Sequence, residues 1–454
     1  MTRSIRFIAC AAVLLLSNHA IAENMLDVYI SAQQNDAFLR ATREGFAATE
    51  QAIPLARSAL LPSLGARATT NWTEREFPGF DALDQDFNDH GWSAQLSAPV
   101  LNLESWFTLS SARASVSAAR FELQAAEQNL ILRVTQAYLN VLRAQDLLDS
   151  TSAEEAAVKR QLEQVQQRFD VGLVAITDVL ESQAVYDSAV VRRIQADGDH
   201  NIFFESLGTL TGITYERVDR LSEKMPIVNP SPQDEAAWVN QALVSNLGIK
   251  AAQDQLLAAQ RNVRARASGH LPTIDATITQ AHSVTGSANF FGPDTTDITI
   301  YGLQFNLPLY TGGLIRARTK EASALSRQAQ ELLLNQQRTV TRDIRNLYQA
   351  VATDVIRVRA RLKAITSSQS ALEAVEVGYE VGTRNIVDVL QAQQFLFRSQ
   401  FDYADSRYNY VLDLLLLKDV SGSLIDADLE ELNSFTDPND QVVRLISMRQ
   451  RSAN

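Results

Sequence analysis

The 454-residue chain holds one cysteine, Cys10, with 18 glycines and 11 prolines. A single cysteine excludes an intrachain disulfide framework. Glycine and proline together make up about half their usual share, so few turns connect long elements. Beyond the N-terminal leader, no stretch reaches the roughly 20 apolar residues of a membrane-spanning helix, and any insertion into a bilayer must use strands. Basic side chains are outnumbered 41 to 53, for a formal charge of −12, and form no basic run. That balance excludes nucleic acid as a partner, because displacing counterions from phosphate needs concentrated positive charge. The histidines His19, His90, His200, His270 and His282 lack metal-ligand spacing on any one helix. His-Glu-x-x-His, a phosphate-cradling Gly-Lys loop and Gly-x-Ser-x-Gly are all missing. We therefore expect no enzyme, no catalytic residue, no metal and no cofactor. With 46% hydrophobic and 21% charged residues the composition is that of a folded chain.

Residues 1–22 have the form of a secretory signal: Arg3 and Arg6 precede an apolar core over 7–16, and Ala20-Ile21-Ala22 supplies the small-residue cleavage site. The mature protein is expected to begin near Glu23, outside the cytoplasm, and Cys10 leaves with the leader.

The rest of the chain is one unit written twice. Leu61-Pro62 recurs as Leu271-Pro272, Tyr138 as Tyr348, Val171-Gly172 as Val381-Gly382, Asp178-Val179-Leu180 as Asp388-Val389-Leu390, and Gly212 as Gly422, each 210 residues on. Repeats at a fixed period signal repeated architecture. The spacing divides the chain into a first repeat at 23–225, a second at 234–422 and a C-terminal segment at 423–454. The linker at 226–233 is rich in proline and cannot continue a helix.

Two periodicities alternate within each repeat. From about 102 to 169 and about 313 to 379 there is no proline and almost no glycine. Leu130, Val134, Ala137, Val141, Ala144 and Leu148 step by four and three, as do Val340, Ile344, Leu347 and Val351 before Asp354 interrupts. This is the stripe of a helix packed in coiled-coil fashion. Strand pairs are expected over 62–101 and 272–311. Leu64, Ala66, Ala68, Thr70 and Trp72 alternate with polar or small residues, as do Trp92, Ala94 and Leu96, and Ile274, Ala276 and Ile278. Over 297–307, Ile298 and Ile300 fall on one phase and Leu303, Phe305 and Leu307 on the other, which predicts a slip or bulge in that strand. Two-faced strands with tryptophans near their loop ends fit a membrane barrel with a wet interior, against a soluble sandwich as the other reading. Four strands cannot close a barrel, so the edges must pair between chains. Periodicity leaves eight strands from a dimer and twelve from a trimer both open.

The segments Gln167-Arg168-Phe169-Asp170-Val171-Gly172-Leu173-Val174-Ala175-Ile176-Thr177-Asp178-Val179 and Gly378-Tyr379-Glu380-Val381-Gly382-Thr383-Arg384-Asn385-Ile386-Val387-Asp388-Val389-Leu390, with Ala265-Arg266, His270-Leu271-Pro272-Thr273, Arg407-Tyr408-Asn409-Tyr410 and Asp428-Leu429, resemble the TolC family of outer-membrane export ducts, the outer membrane factors. The resemblance covers nearly the whole mature chain. It implies a mixed α/β membrane protein: a homotrimer whose 12-stranded outer-membrane β-barrel continues into a 12-helix periplasmic α-barrel, with an equatorial α/β collar. It also implies an exit duct for drug efflux and type I secretion, gated at its periplasmic end. A periplasmic adaptor (membrane fusion) protein and an inner-membrane efflux transporter or ABC exporter would recruit it, with outer-membrane lipid around the barrel. By the same resemblance the turns at 170–177 and 380–387 are the periplasmic tips. Val171, Gly172, Leu173, Val381, Gly382 and Thr383 match adaptor-docking positions. Asp388 matches an acidic ring at the mouth, with Gln391 where the family pattern has a second acid, so cation blockade is expected to be weaker. Tyr379 and Arg384 match a latch that closes on Thr177, Asp178 and Gln161. Independently of the resemblance, glycine at 172 and 382 suits a left-handed helix end. Asn385 suits an N-cap that puts Asp388 in the first helical turn. The rival reading is a periplasmic coiled-coil adaptor or scaffold outside the membrane, which would lack the two-faced strand pairs.

Overall fold

A computed structural model describes residues 24–79, 84–286 and 294–444. The leader, its cleavage site, Cys10 and the end of the C-terminal tail lie outside the described residues. In chain order come α1 (Met25–Asn35), α2 (Ala37–Glu50), α3 (Ala52–Ser58), β1 (Ser63–Arg75), β2 (Gln85–Leu101), α4 (Leu103–Asp170), α5 (Ile176–Thr211) and β3 (Arg217–Leu221). Then follow α6 (Glu235–Ser245), α7 (Leu247–Ala267), β4 (Thr273–Thr285), β5 (Asp294–Asn306), α8 (Leu314–Glu380), α9 (Ile386–Ser421), α10 (Asp426–Asn433) and β6 (Thr436–Val443). The two long helices have 68 and 67 residues, so each runs about 100 Å at 1.5 Å per residue. They stay helical because no proline interrupts them and Gly378 is their only glycine. Asn102 starts α4, its side chain accepting from the Ser105 N–H at 3.0 Å.

The N-terminal half of α4 packs on α2, α3 and α7, and its C-terminal half on α5 and α9, while α8 packs on α7 and α9. The main core surrounds the middle of α4. Leu130, Val134, Tyr138, Val141 and Leu142 are fully buried there against Met25 and Val28 of α1, Phe204 and Leu207 of α5, and Ile344 and Val351 of α8. Each such aliphatic side chain contributes about 1.5–3 kcal/mol by leaving water. The short antiparallel pair β3–β6 closes this region, with a bulge between Asp219 and Arg220. The Arg407-Tyr408-Asn409-Tyr410 run of α9 stitches the middle together. Arg407 donates to the Ser222 carbonyl at 2.5 Å, and the Tyr408 hydroxyl donates to Asp146 of α4 at 2.6 Å. Asn409 accepts from Arg143 at 2.8 Å, and the Tyr410 hydroxyl donates to the Val228 carbonyl of the linker at 2.9 Å. A second core lies at the far end of the long helices, where Val158, Val165, Val179, Leu372, Ile386, Val389, Leu390 and Leu396 meet.

At the opposite end the four long strands form one antiparallel sheet in the order β1-β2-β4-β5. Its centre is the seam between repeats, with Leu96 opposite Ile278 and Ser97 opposite Thr277. Directly opposed residues share a face. Leu64, Ala66, Leu96, Ala94, Ile278, Ala276, Tyr301 and Leu303 therefore line one side, and Gly65, Arg67, Gln95, Ser97, Thr277, Thr279, Gln304 and Gly302 the other. The bulge expected in 297–307 is absent: β5 pairs with β4 in unbroken register from Thr273↔Asn306 to Thr285↔Asp294. Ile298 and Ile300 accordingly lie on the otherwise polar face, opposite Ala281 and Thr279. The irregularity falls instead in β2, between Pro99 and Leu101, where proline has no N–H to give the ladder. β5 also stops at Asn306, short of the expected 311. Gly91 is required where the strands pack closest, because a Cβ there would run into the His282 carbonyl oxygen. β1 and β5 each have one edge unpaired among the described residues.

Candidate functional site

The two turns that end the long helices are built alike. After α4, the Gly172 N–H donates to the Phe169 carbonyl at 2.8 Å and the Leu173 N–H to Arg168 at 2.8 Å. After α8, Gly382 donates to Tyr379 at 3.1 Å and Thr383 to Gly378 at 2.8 Å. This paired bonding, with a left-handed residue after the cap, is the Schellman arrangement. Both glycines have φ of +78°, a conformation that a Cβ disfavours. Val171, Leu173 and Val381 stand out from these turns, 71%, 73% and 68% exposed. All three lie outside the two buried cores.

The two return helices begin differently. The α9 helix opens with a reciprocal capping box: the Asp388 N–H donates to Asn385 Oδ1 at 2.8 Å, and the Asn385 N–H donates to Asp388 Oδ2 at 3.3 Å. Asp388 is thus fixed in the first turn by Asn385, as its sequence position suggested. Arg384 adds an ion pair, with its Nη1 3.9 Å from Asp388 Oδ2. On α5 the equivalent cap position is Ala175, which has no side-chain bond to offer.

The expected latch residues are brought to the same end of the molecule. Within one chain, Arg384 pairs with Asp388 rather than with Asp178. Thr177 bonds its neighbour Asp178, with Oγ1 to Oδ1 at 3.4 Å. The Tyr379 hydroxyl is buried and has no hydrogen-bond partner among the described residues, while its ring carries the Arg168 guanidinium 5.0 Å from the centroid. Gln161 lies one to two turns further up α4, half-buried, and Gln391 is exposed one turn beyond Asp388. The Arg168–Tyr379 contact ties α4 to α8 at the tip, and sequence reasoning missed it. Both residues stand in the segments that carry the resemblance, but a contact between side chains 211 positions apart has no local signature.

Two segments, 28–213 and 238–423, match the model of the outer membrane efflux protein family. The chain belongs to that family. The two matches start 210 residues apart, the same offset that relates the repeats. As an outer membrane efflux protein it is an exit duct in the outer membrane that reaches into the periplasm, and the family is one of transport ducts rather than catalysts. Among its relatives, outer membrane protein TolC of Vibrio cholerae is 34% identical over 439 residues, 96% of this chain and 98% of that one. The alkaline protease secretion protein AprF of Pseudomonas aeruginosa is 27% identical, covering 95% and 91%. The crystal structure of the Campylobacter jejuni CmeC outer membrane channel superposes with a TM-score of 0.75 at 17% identity, covering 91% of this efflux protein and 90% of CmeC. The shared fold extends from the strands to the helical tips.

Proposed function

We propose that three copies of this outer membrane efflux protein close into one duct that serves both drug efflux and type I protein secretion. One observation carries the reading: an open four-stranded sheet, unpaired at β1 and β5 and apolar on one face, sits on two helices about 100 Å long. Three such sheets make twelve strands, enough for a barrel with an open lumen. Arg67, Thr69, Gln95, Thr277 and Gln304 would face water inside, and Leu64, Leu303 and Tyr301, all more than 70% exposed in the single chain, would face lipid. The secretion role is supported by the relative named for alkaline protease secretion.

At the periplasmic mouth three copies of Asp388 form an acidic ring that favours cations. Gln391 leaves this ring single, and multivalent cations bind it weakly. Arg384 and Tyr379 hold the mouth closed through Thr177, Asp178 and Gln161, the Tyr379 hydroxyl finding its acceptor on assembly. A periplasmic adaptor docks on Val171, Gly172, Leu173, Val381, Gly382 and Thr383, and the inner-membrane transporter or ABC exporter supplies the energy.

The test is single-channel recording of the purified protein in a planar lipid bilayer, wild type against Asp388→Ala. The reading expects a small, steady, cation-preferring current whose preference the substitution abolishes. Failure of the protein to insert would refute the barrel and favour a periplasmic scaffold. Insertion with unchanged selectivity would refute the ring alone.

A further inference from the structure

Asp354 breaks the apolar stripe of α8, yet it is 1% exposed and buried between Val351, Val355 and Val358. Its Oδ1 accepts from Arg357 Nη1 at 2.6 Å, and its Oδ2 has no donor among the described residues. A buried carboxylate oxygen without a donor is costly, and native structures rarely tolerate one. Across the helix pair the Asp413 side chain of α9 comes within hydrogen-bond reach of Asp354. Two carboxylates in contact, with Arg357 as the only adjacent cation among the described residues, leave an excess negative charge in the interior.

The surroundings offer nothing else to neutralise it. Asp413 and Arg357 line a cavity of about 260 Å³ with Leu132 and Gln136 of α4 and with Asn409, Leu412 and Leu416, none of them charged. Further along α9, Asp405 is paired with Arg143 and Asp402 with Arg361. Glu235 of α6 is engaged with Gln349 and Arg345.

We propose that Asp354 keeps a proton which it donates to the Asp413 carboxylate, and that this buried carboxyl pair is a proton-operated clamp between α8 and α9. The proton gives Oδ2 the partner it lacks and leaves one negative charge to balance Arg357. When the proton leaves, like charges face each other across the interface and the two helices part locally. Burial, the bond to Asp413 and its charge push the Asp354 carboxyl up to about 6, against the counter-pull of Arg357. The sign follows from linkage: a folded pKa above the ordinary 3.8 makes a contribution that is full at low pH and lost as pH rises through about 6. The clamp is therefore closed in acid and released at neutral pH. Its α9 member, Asp413, lies 25 residues beyond Asp388 on that helix, about 37 Å along it at 1.5 Å per residue.

Infrared difference spectra of the intact protein in detergent test the proton, and hydrogen–deuterium exchange on the same sample, corrected for intrinsic rates, tests the clamp. Burial pushes the Asp419 carboxyl up to about 6 as well, so the reading is the wild-type-minus-variant difference: subtracting Asp354→Asn or Asp413→Asn from wild type should leave a protonated carboxyl band that titrates near pH 6. Between pH 5 and pH 7 the local opening constant over 347–358 and 409–416 should rise about tenfold in wild type. It should stay level in both variants, since asparagine at 354 can donate to Asp413 and asparagine at 413 can donate to Asp354. Two variants guard against one of them failing to fold. A wild-type-minus-Asp354→Asn difference with no carboxyl band titrating between pH 5 and 7 would overturn the shared proton. A titrating band with equal protection at both pH values would overturn the clamp.

Discussion

Asp36 shows how much one side chain can hold together. It caps α2 by accepting the Leu39 N–H at 2.9 Å, and it takes two bonds from Arg133 of α4, at 3.2 and 2.7 Å. Burial pulls its carboxyl upward, but the Arg133 bond and the Leu39 N–H outweigh this and hold it below the usual carboxylate range. Its contribution is therefore present above the ordinary value and lost as pH falls through the depressed one. Asp36→Ala removes cap and pair together and is expected to cost about 2–4 kcal/mol, read as a lower unfolding midpoint at pH 7 with the difference narrowing in acid. At the tip, the unpartnered Tyr379 hydroxyl makes Tyr379→Phe silent for the single chain, whose Arg168 contact uses the ring. Combined with Arg384→Ser, it is expected to leave the mouth ajar and raise single-channel conductance. A current equal to wild type would remove the latch from the account. Asn385 and Asp388 were legible as cap and first-turn acid because capping is local chemistry. Arg168–Tyr379 and Asp354–Asp413 were not, since each joins residues of different elements and depends on how those elements pack.

Among the elements, α5 and α9 have equal lengths and matching C-terminal glycines but unequal starts. Gly212 and Gly422 both end their helices in the left-handed region, at φ of +70° and +72°. Only α9 has a side-chain cap. Ala175→Asn should give α5 the cap it lacks and raise stability by about 1 kcal/mol, visible as a higher melting temperature. No change would mean that the Leu173-Val174 turn cannot present the side chain. The long helices were readable almost to the residue, because long runs without proline and almost without glycine that carry an apolar stripe stepping by four and three have few other outcomes. β5 was misread for the opposite reason. Ile298 and Ile300 on the polar face imitate a register change, but the ladder to β4 runs through them without a break. Pairing is decided by the neighbouring strand, and a strand's own alternation is weaker information.

For the whole molecule, the 210-residue offset made the duplication visible before any motif did, while the barrel-and-tunnel architecture came with the resemblance that the tip motifs carry. What the chain alone leaves open is closure, because β1 and β5 each keep one edge unpaired among the described residues, edges that the proposed trimer would complete. Cross-linking provides a direct check: paired cysteines placed on these two edges, for instance Leu64→Cys with Leu303→Cys in a chain whose one cysteine is Cys10, should trap a trimer. A ladder ending at the dimer would favour an eight-stranded barrel.

The seam between β2 and β4 also sets an order of events in time. Ser97 and its partner Thr277 are separated by 180 residues of chain, so the first hairpin must wait, one edge bare, until most of the protein has crossed the inner membrane. Contacts this distant in sequence form late, and bare strand edges invite wrong pairing meanwhile. Assembly is thus obliged to finish after export of the second repeat, and a chain that stops at the 226–233 linker carries half a sheet with nowhere to go.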